Sequence, residues 1–148
     1  MYKFNLESLL NHRRYQEEVL QKELAEKKKH LVEQQHKMKD IKRKRHQYSQ
    51  ELHQRQKKDG TVSDLIMYFK YIERLAKARD HQKRQVELSK RQFNQKRKDL
   101  VEMMKKRKTL EKLKEKGLKN FQQQMQKKER DFMDEVAAKQ HQERPRTY

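Results

Sequence analysis

Along the first third of the chain, apolar side chains recur at a strict four-then-three spacing. They fall on the series Leu6, Leu10, Arg13, Glu17, Leu20, Leu24, Lys27, Leu31, Gln34, Met38, Ile41, Arg45, Tyr48 and Leu52. Nine of these fourteen positions are apolar and no proline interrupts them. A seven-residue repeat held this long is the pattern of a coiled coil rather than of a globular surface helix. It predicts a first helix over about residues 3–57.

A second pattern begins after Lys57-Lys58-Asp59-Gly60-Thr61-Val62-Ser63, which holds one of only two glycines. Gly60 is expected to take the positive φ that ends a helix, and Thr61 with Asp64 reads as the capping box that starts the next one. From there a 3,4 spacing runs through Val62, Leu65, Phe69, Ile72 and Ala76 to Val86, Phe93, Leu100 and Met104, then on to Leu118, Phe121, Met125 and Phe132. Arg79, Lys83, Lys90, Arg97, Arg107, Glu111 and Lys114 fall on the same series. Leu110 and Leu113 lie off it, as a local stutter between residues 103 and 113 would produce. Gly117 sits inside the pattern and marks a bend at a cost of about 1 kcal/mol against Ala. Arg144-Pro145-Arg146 is expected to close the helix.

The fold class predicted is therefore all-α. Two long helices form an antiparallel coiled-coil hairpin with a C-terminal helical overhang, a single domain over residues 1–148. Helix one covers about 3–57, the turn about 58–61, helix two about 62–141, and a flexible tail 142–148. A turn near residue 60 sets Tyr48 beside Tyr71, Leu31 beside Leu88 and Leu6 beside Leu113. Helix two is the longer, so beyond about residue 118 it has no partner. At about 1.5 Å per residue the overhang is roughly 30 Å long. Leu118, Phe121, Met125, Phe132 and Val136 continue along one side of it.

Composition supports helices meeting along a narrow seam rather than a compact core. Apolar residues make up 31% of the 148 and charged residues 43%, against about 45 to 50% apolar in ordinary domains. One Pro, two Gly and four Ser are too few for a disordered chain. Eleven pairs place an acid four residues before a base, among them Glu73/Lys77, Asp80/Arg84 and Glu115/Lys119, each adding roughly 0.2 to 0.5 kcal/mol to a helix. The absence of cysteine removes disulfides and thiol chemistry. The longest apolar run, Leu65-Ile66-Met67-Tyr68-Phe69, is far too short to cross a membrane, so a cytoplasmic protein is expected.

No G-x-S-x-G, P-loop or H-E-x-x-H occurs, and two helices enclose no pocket, so no enzyme, cofactor or metal site is expected. The net charge of +19 predicts attraction to something acidic. The basic runs Lys27 to Lys29, Lys42 to Arg45, Lys96 to Lys98 and Lys105 to Lys108 are separated by acids. They read as a solvated face or a surface for an acidic protein, and less well as the continuous basic segment of a nucleic-acid binder. Tyr68, Tyr71, Leu75 and Ala78 follow one another at 3,4,3 spacing off the expected seam. They form a second stripe near the turn, which either widens the seam or docks a partner.

Local words within the repeats resemble the flagellar export protein FliJ family over nearly the whole chain. They are Tyr2-Lys3-Phe4-Asn5-Leu6-Glu7-Ser8-Leu9-Leu10, Leu20-Gln21-Lys22-Glu23-Leu24-Ala25, and Tyr68-Phe69-Lys70-Tyr71-Ile72-Glu73-Arg74-Leu75. Two more are Lys108-Thr109-Leu110-Glu111-Lys112-Leu113 and Lys128-Glu129-Arg130-Asp131-Phe132-Met133-Asp134-Glu135-Val136-Ala137. The last, with its acidic pair after Met133, is the most specific. The resemblance implies a soluble, non-enzymatic component of the flagellar type III export apparatus, peripherally associated with the inner membrane. It also implies an antiparallel coiled coil similar to a rotary ATPase stalk, with three partners: the hexameric export ATPase, export chaperones and the membrane export gate. On that reading Phe121, Met125 and Phe132 anchor the overhang in the ATPase ring, with Lys127, Lys128 and Arg130 facing its acidic groups. The export gate is then met by Tyr48, Tyr68, Tyr71, Leu75 and Ala78. Two readings from other classes are a basic coiled coil that binds nucleic acid and a structural coiled coil that oligomerises through its seam.

Overall fold

The computed structural model describes residues 1–58 and 60–144. It is all-α: helices α1 (Glu7–Lys57) and α2 (Val62–Glu143) pack against each other as a helical hairpin, with no strand among the described residues. Asp59 of the turn, Pro145 and Arg146 of the expected stop, and residues 147–148 of the expected tail lie outside the described residues. Residues 142 and 143, assigned to that tail, belong to α2.

The first helix begins later than its pattern suggests. The Glu7 N–H donates to the Phe4 carbonyl at 3.1 Å, and the first helical bond runs from the Leu10 N–H to the Leu6 carbonyl at 2.9 Å. Residues 1–6 are thereby left free to fold over α2, and Tyr2 is half-buried there. A tertiary contact has overridden local propensity at the chain end.

At the turn, Gly60 does not take the expected positive φ; no described residue does. What its missing side chain permits is close passage, since a Cβ at Gly60 would stand 3.2 Å from the Arg55 carbonyl oxygen. Thr61 caps α2 as expected, its Oγ1 accepting from the Asp64 N–H at 3.3 Å. The reciprocal half of the box is replaced: the Asp64 carboxylate turns to the Arg55 guanidinium at 3.7 Å.

The chain divides into two compact units, Glu17–Glu102 and Met1–Gln16 with Met103–Tyr148. On α1 the expected seam is the observed one, with every position from Leu10 to Leu52 in the series buried or half-buried. On α2 the seam is different. In the Glu17–Glu102 unit it runs Leu65, Tyr68, Ile72, Leu75, Arg79, Gln82, Val86, Ser89, Phe93, Lys96 and Leu100. In the other unit it takes Met103, Arg107, Leu110, Lys114, Gly117 and Phe121. Alternate positions of the expected series are replaced by their preceding neighbours, so Phe69 is 55% exposed while Tyr68 is half-buried. The expected stutter is absent, because Leu110 lies on an unbroken 3,4 spacing and is buried. Leu88 and Leu113, expected opposite Leu31 and Leu6, are exposed, because neither lies on the column that meets α1.

Charge decides between the two columns. The expected one would place Lys83, Lys90, Arg97 and Glu111 against α1, whereas the observed one carries Lys96 alone between Arg79 and Arg107 in the corresponding alternate positions. Bringing unpaired charges into a seam costs more than the difference in apolar area returns. Lys96 itself is matched, its Nζ lying 2.5 Å from Glu23 Oε2. The contact holds the ammonium above its ordinary pKa, the hydrogen bond that Lys96 donates to the Glu23 carboxylate being the main cause.

Within the Glu17–Glu102 unit, a polar layer crosses the middle of the seam. Gln82 Nε2 donates to the Gln34 carbonyl oxygen at 2.9 Å and to Gln34 Oε1 at 2.8 Å, and both glutamines are buried. In the other unit Lys114 pairs with Glu7 at 2.8 Å. There Glu111 accepts from Arg107 at 3.1 Å and lies 3.5 Å from Arg14. These guanidinium contacts, Arg107 first, hold the Glu111 carboxyl below its ordinary pKa against the opposing effect of desolvation.

Candidate functional site

Two surfaces carry exposed apolar groups in a built setting. The first lies beside the turn, in the Glu17–Glu102 unit. Tyr48 stacks on Tyr71 at 5.4 Å between ring centroids with 25° between planes, and meets Tyr68 at 6.3 Å and 58°. The Tyr68 hydroxyl donates to Glu51 Oε2 at 3.2 Å, and the Arg55 guanidinium stands 5.1 Å over the Tyr68 ring. Tyr48, Arg55, Tyr68 and Tyr71 line a groove of about 240 Å³ with Asp64 and Met67.

Of the residues expected in a free stripe here, Tyr68 and Leu75 are seam residues and Ala78 is half-buried. The reason is again the phase of α2: the column through Tyr68 and Leu75 is the one that meets α1. Tyr71 stays 45% exposed on the rim. The sequence reading passed over Met67 and Ile66, which are more exposed than Tyr71. They lie between Leu65 and the next seam member in either register, so both face away from α1.

The second surface is the C-terminal part of α2. Coverage by the N-terminal segment reaches further than expected, because Tyr2 packs its ring against Phe121 at 5.7 Å between centroids and 44° between planes. Its phenol also lies directly over Gly117, where a Cβ would come within 2.9 Å of Tyr2 Cζ. Gly117 is thus the receptor for Tyr2, and α2 stays helical through it. Phe121, expected as the first free anchor, is half-buried under Tyr2.

From residue 122 to 144 every position except Val136 is exposed. Met125 and Phe132 keep their side of the helix, and Phe132 is 65% exposed. Lys127, Lys128 and Arg130 are exposed as well. Met133, which the spacing left off the stripe, is 67% exposed and sits in a shallow groove with Gln126, Glu129, Arg130 and Asp134. At about 100° per residue it stands beside Phe132 rather than in line with it. Five bases and five acids share residues 122–144, so this surface is neutral overall and its apolar side chains are its distinguishing chemistry.

Among the described residues no helix is long and apolar enough to cross a membrane. Comparison with known proteins gives one family: the model for the flagellar FliJ protein matches residues 2–146. No significant match was found among curated proteins or among solved structures. The match spans both units and both surfaces, and with them the words that carried the resemblance. The chain therefore belongs to the flagellar FliJ protein family, helical coiled-coil adaptors associated with flagellar export.

Proposed function

We propose that the protein is a non-enzymatic stalk and adaptor of the flagellar type III export apparatus, linking the ATPase ring to export chaperones and to the membrane export gate. The observation that carries this reading is the bare C-terminal part of α2, a single helix that leaves Met125, Phe132 and Met133 exposed beyond the last residue covered by Tyr2. A lone helix with large exposed apolar side chains is a helix awaiting a groove. Each such side chain buried on docking contributes about 1.5 to 3 kcal/mol before ordering costs are subtracted. In this reading the segment enters the ATPase ring with Met125 and Phe132 as anchors and Phe121 at the mouth. Lys127, Lys128 and Arg130 meet acidic groups of the ring. The groove beside the turn, with Tyr48, Tyr68 and Tyr71 and the flanking Leu75 and Ala78, meets the export gate.

The test uses the full chain with Met125→Ser and Phe132→Ser. Both side chains are exposed, so helix content by circular dichroism stays unchanged. Capture of the purified hexameric export ATPase is expected to weaken by about 100-fold, from the loss of two buried anchors. Undiminished capture would place the ring contact elsewhere.

A further inference from the structure

The charge of the chain is not spread along it. Residues 27–46 and residues 77–98 each hold nine bases and two acids, and together they account for +14 of the net +19. Sequence keeps these segments thirty residues apart, and the fold lays them alongside one another in the Glu17–Glu102 unit, with Gln34 bonded to Gln82 between them.

The observed seam also tells which way the charges face. On α2 the dipeptides Lys83-Arg84, Lys90-Arg91 and Arg97-Lys98 each follow a seam residue, Gln82, Ser89 and Lys96, at seven-residue intervals. On α1 Lys28-Lys29 and Lys42-Arg43 follow Lys27 and Ile41 in the same way. In an antiparallel pair the first residue of each dipeptide flanks the seam on one side, and the second lies about 100° further round on the outer surface of its helix. The packing bears this out, since Lys42 of α1 lines one groove of about 530 Å³ with Lys83 and Lys90 of α2. Asp80 and Glu87 are the acids in that groove. Across the seam, the other side is close to neutral: α1 presents Glu26, Glu33 and Asp40 with Lys37 and Lys44, and α2 presents glutamines, Leu88 and Asp99.

Apart from Arg43, which lies 3.4 Å from Asp40, none of the bases in these dipeptides makes an ion pair or hydrogen bond among the described residues. Two columns of like charge thus face each other over a shallow groove, an arrangement that repels itself until an anionic surface covers it.

We propose that this face docks on an anionic phospholipid bilayer. It is two helices wide, and its α2 column from residue 77 to 98 is about 33 Å long at about 1.5 Å per residue. A planar surface brings both columns within one Debye length, about 8 Å, at once, whereas a duplex curves away from the outer bases. The dipeptides bring no aromatic ring on which an unpaired base could stack. Eight or more unpaired Lys and Arg side chains supply about 1 kcal/mol each near an anionic leaflet. Binding is accordingly electrostatic, reversible and sensitive to salt. It uses a different part of the chain from the ATPase contact, and the two stand or fall separately.

The experiment is co-sedimentation of the full chain with vesicles of phosphatidylcholine alone and of phosphatidylcholine with phosphatidylglycerol. Binding is expected only to the second kind and is lost as salt rises from about 50 to about 200 mM. The variant Lys83→Gln, Lys90→Gln, Arg97→Gln is expected to partition about 100-fold less. The variant Lys37→Gln, Lys44→Gln, Arg74→Gln removes the same net charge from the other side of the unit and keeps most of the binding. All six side chains are exposed and glutamine is a good helix former, so both variants stay helical. Equal loss in the two variants, no binding to the anionic vesicles, or tighter binding of a duplex oligonucleotide than of those vesicles at one ionic strength would each overturn the proposal.

Discussion

Replacing Gly117 with Ala sets two effects of similar size against each other. In a helix interior the change gains about 1 kcal/mol from propensity. The new Cβ would overlap the Tyr2 hydroxyl and come within 2.9 Å of Tyr2 Cζ. The α2 backbone continues for many residues on either side of position 117 and cannot retreat. Tyr2 lies outside α1, so it is the group that moves. Its departure forfeits the ring pair with Phe121, worth about 0.5 to 1.5 kcal/mol beyond area burial. The single variant is therefore expected to unfold at nearly the native urea midpoint, with a clasp that is open. A double-mutant cycle exposes this. Tyr2→Ala should cost about 1 to 2 kcal/mol in the native background and close to nothing with Ala at position 117, a coupling of about 1 kcal/mol or more. The assay is urea unfolding followed by circular dichroism on the four full-length chains. If Tyr2→Ala costs the same in both backgrounds, Tyr2 does not depend on Gly117 and the reasoning fails.

Gln82→Leu leaves the buried Gln34 side chain without its donor and is expected to cost about 1 to 3 kcal/mol. Adding Gln34→Leu should restore stability while loosening register, read as a broadened spin-label distance between positions 47 and 73; a sharp distance in the double variant would deny the layer its aligning role. For Glu111, the folded-state pKa lies below the ordinary carboxylate value of 4.5, Arg107 being the main cause. Its contribution is thus present above that value and lost as pH falls through the lowered folded pKa. Glu111→Gln should flatten the fall in melting temperature on acidification below about pH 5, and an unchanged slope would remove Glu111 from the acid response.

The sequence determined the existence of two helices, the capped start of α2, and the whole α1 seam. On α1 one column alone combines most of the leucines with few charges, so its face needs no partner to be identified. The register near the turn was also legible, with Tyr48 stacked on Tyr71 as the position of Gly60 implies. On α2 two adjacent columns are both apolar at intervals, and a one-residue choice separates them. Only pairing with α1 selects Tyr68, Leu75 and Leu110 over Phe69, Ala76 and Glu111. The run Lys83, Lys90, Arg97 in the losing column was a signal available beforehand. That choice of phase turned Tyr68 inward and Phe69 outward at one candidate surface. At the other, the fold of the N-terminal residues covered Phe121, which no helical periodicity contains because residues 1–6 are not helical. The basic face belongs to tertiary structure as well: each segment shows its charges in the sequence, but their joint presentation on one side follows from the antiparallel pairing of α1 with α2.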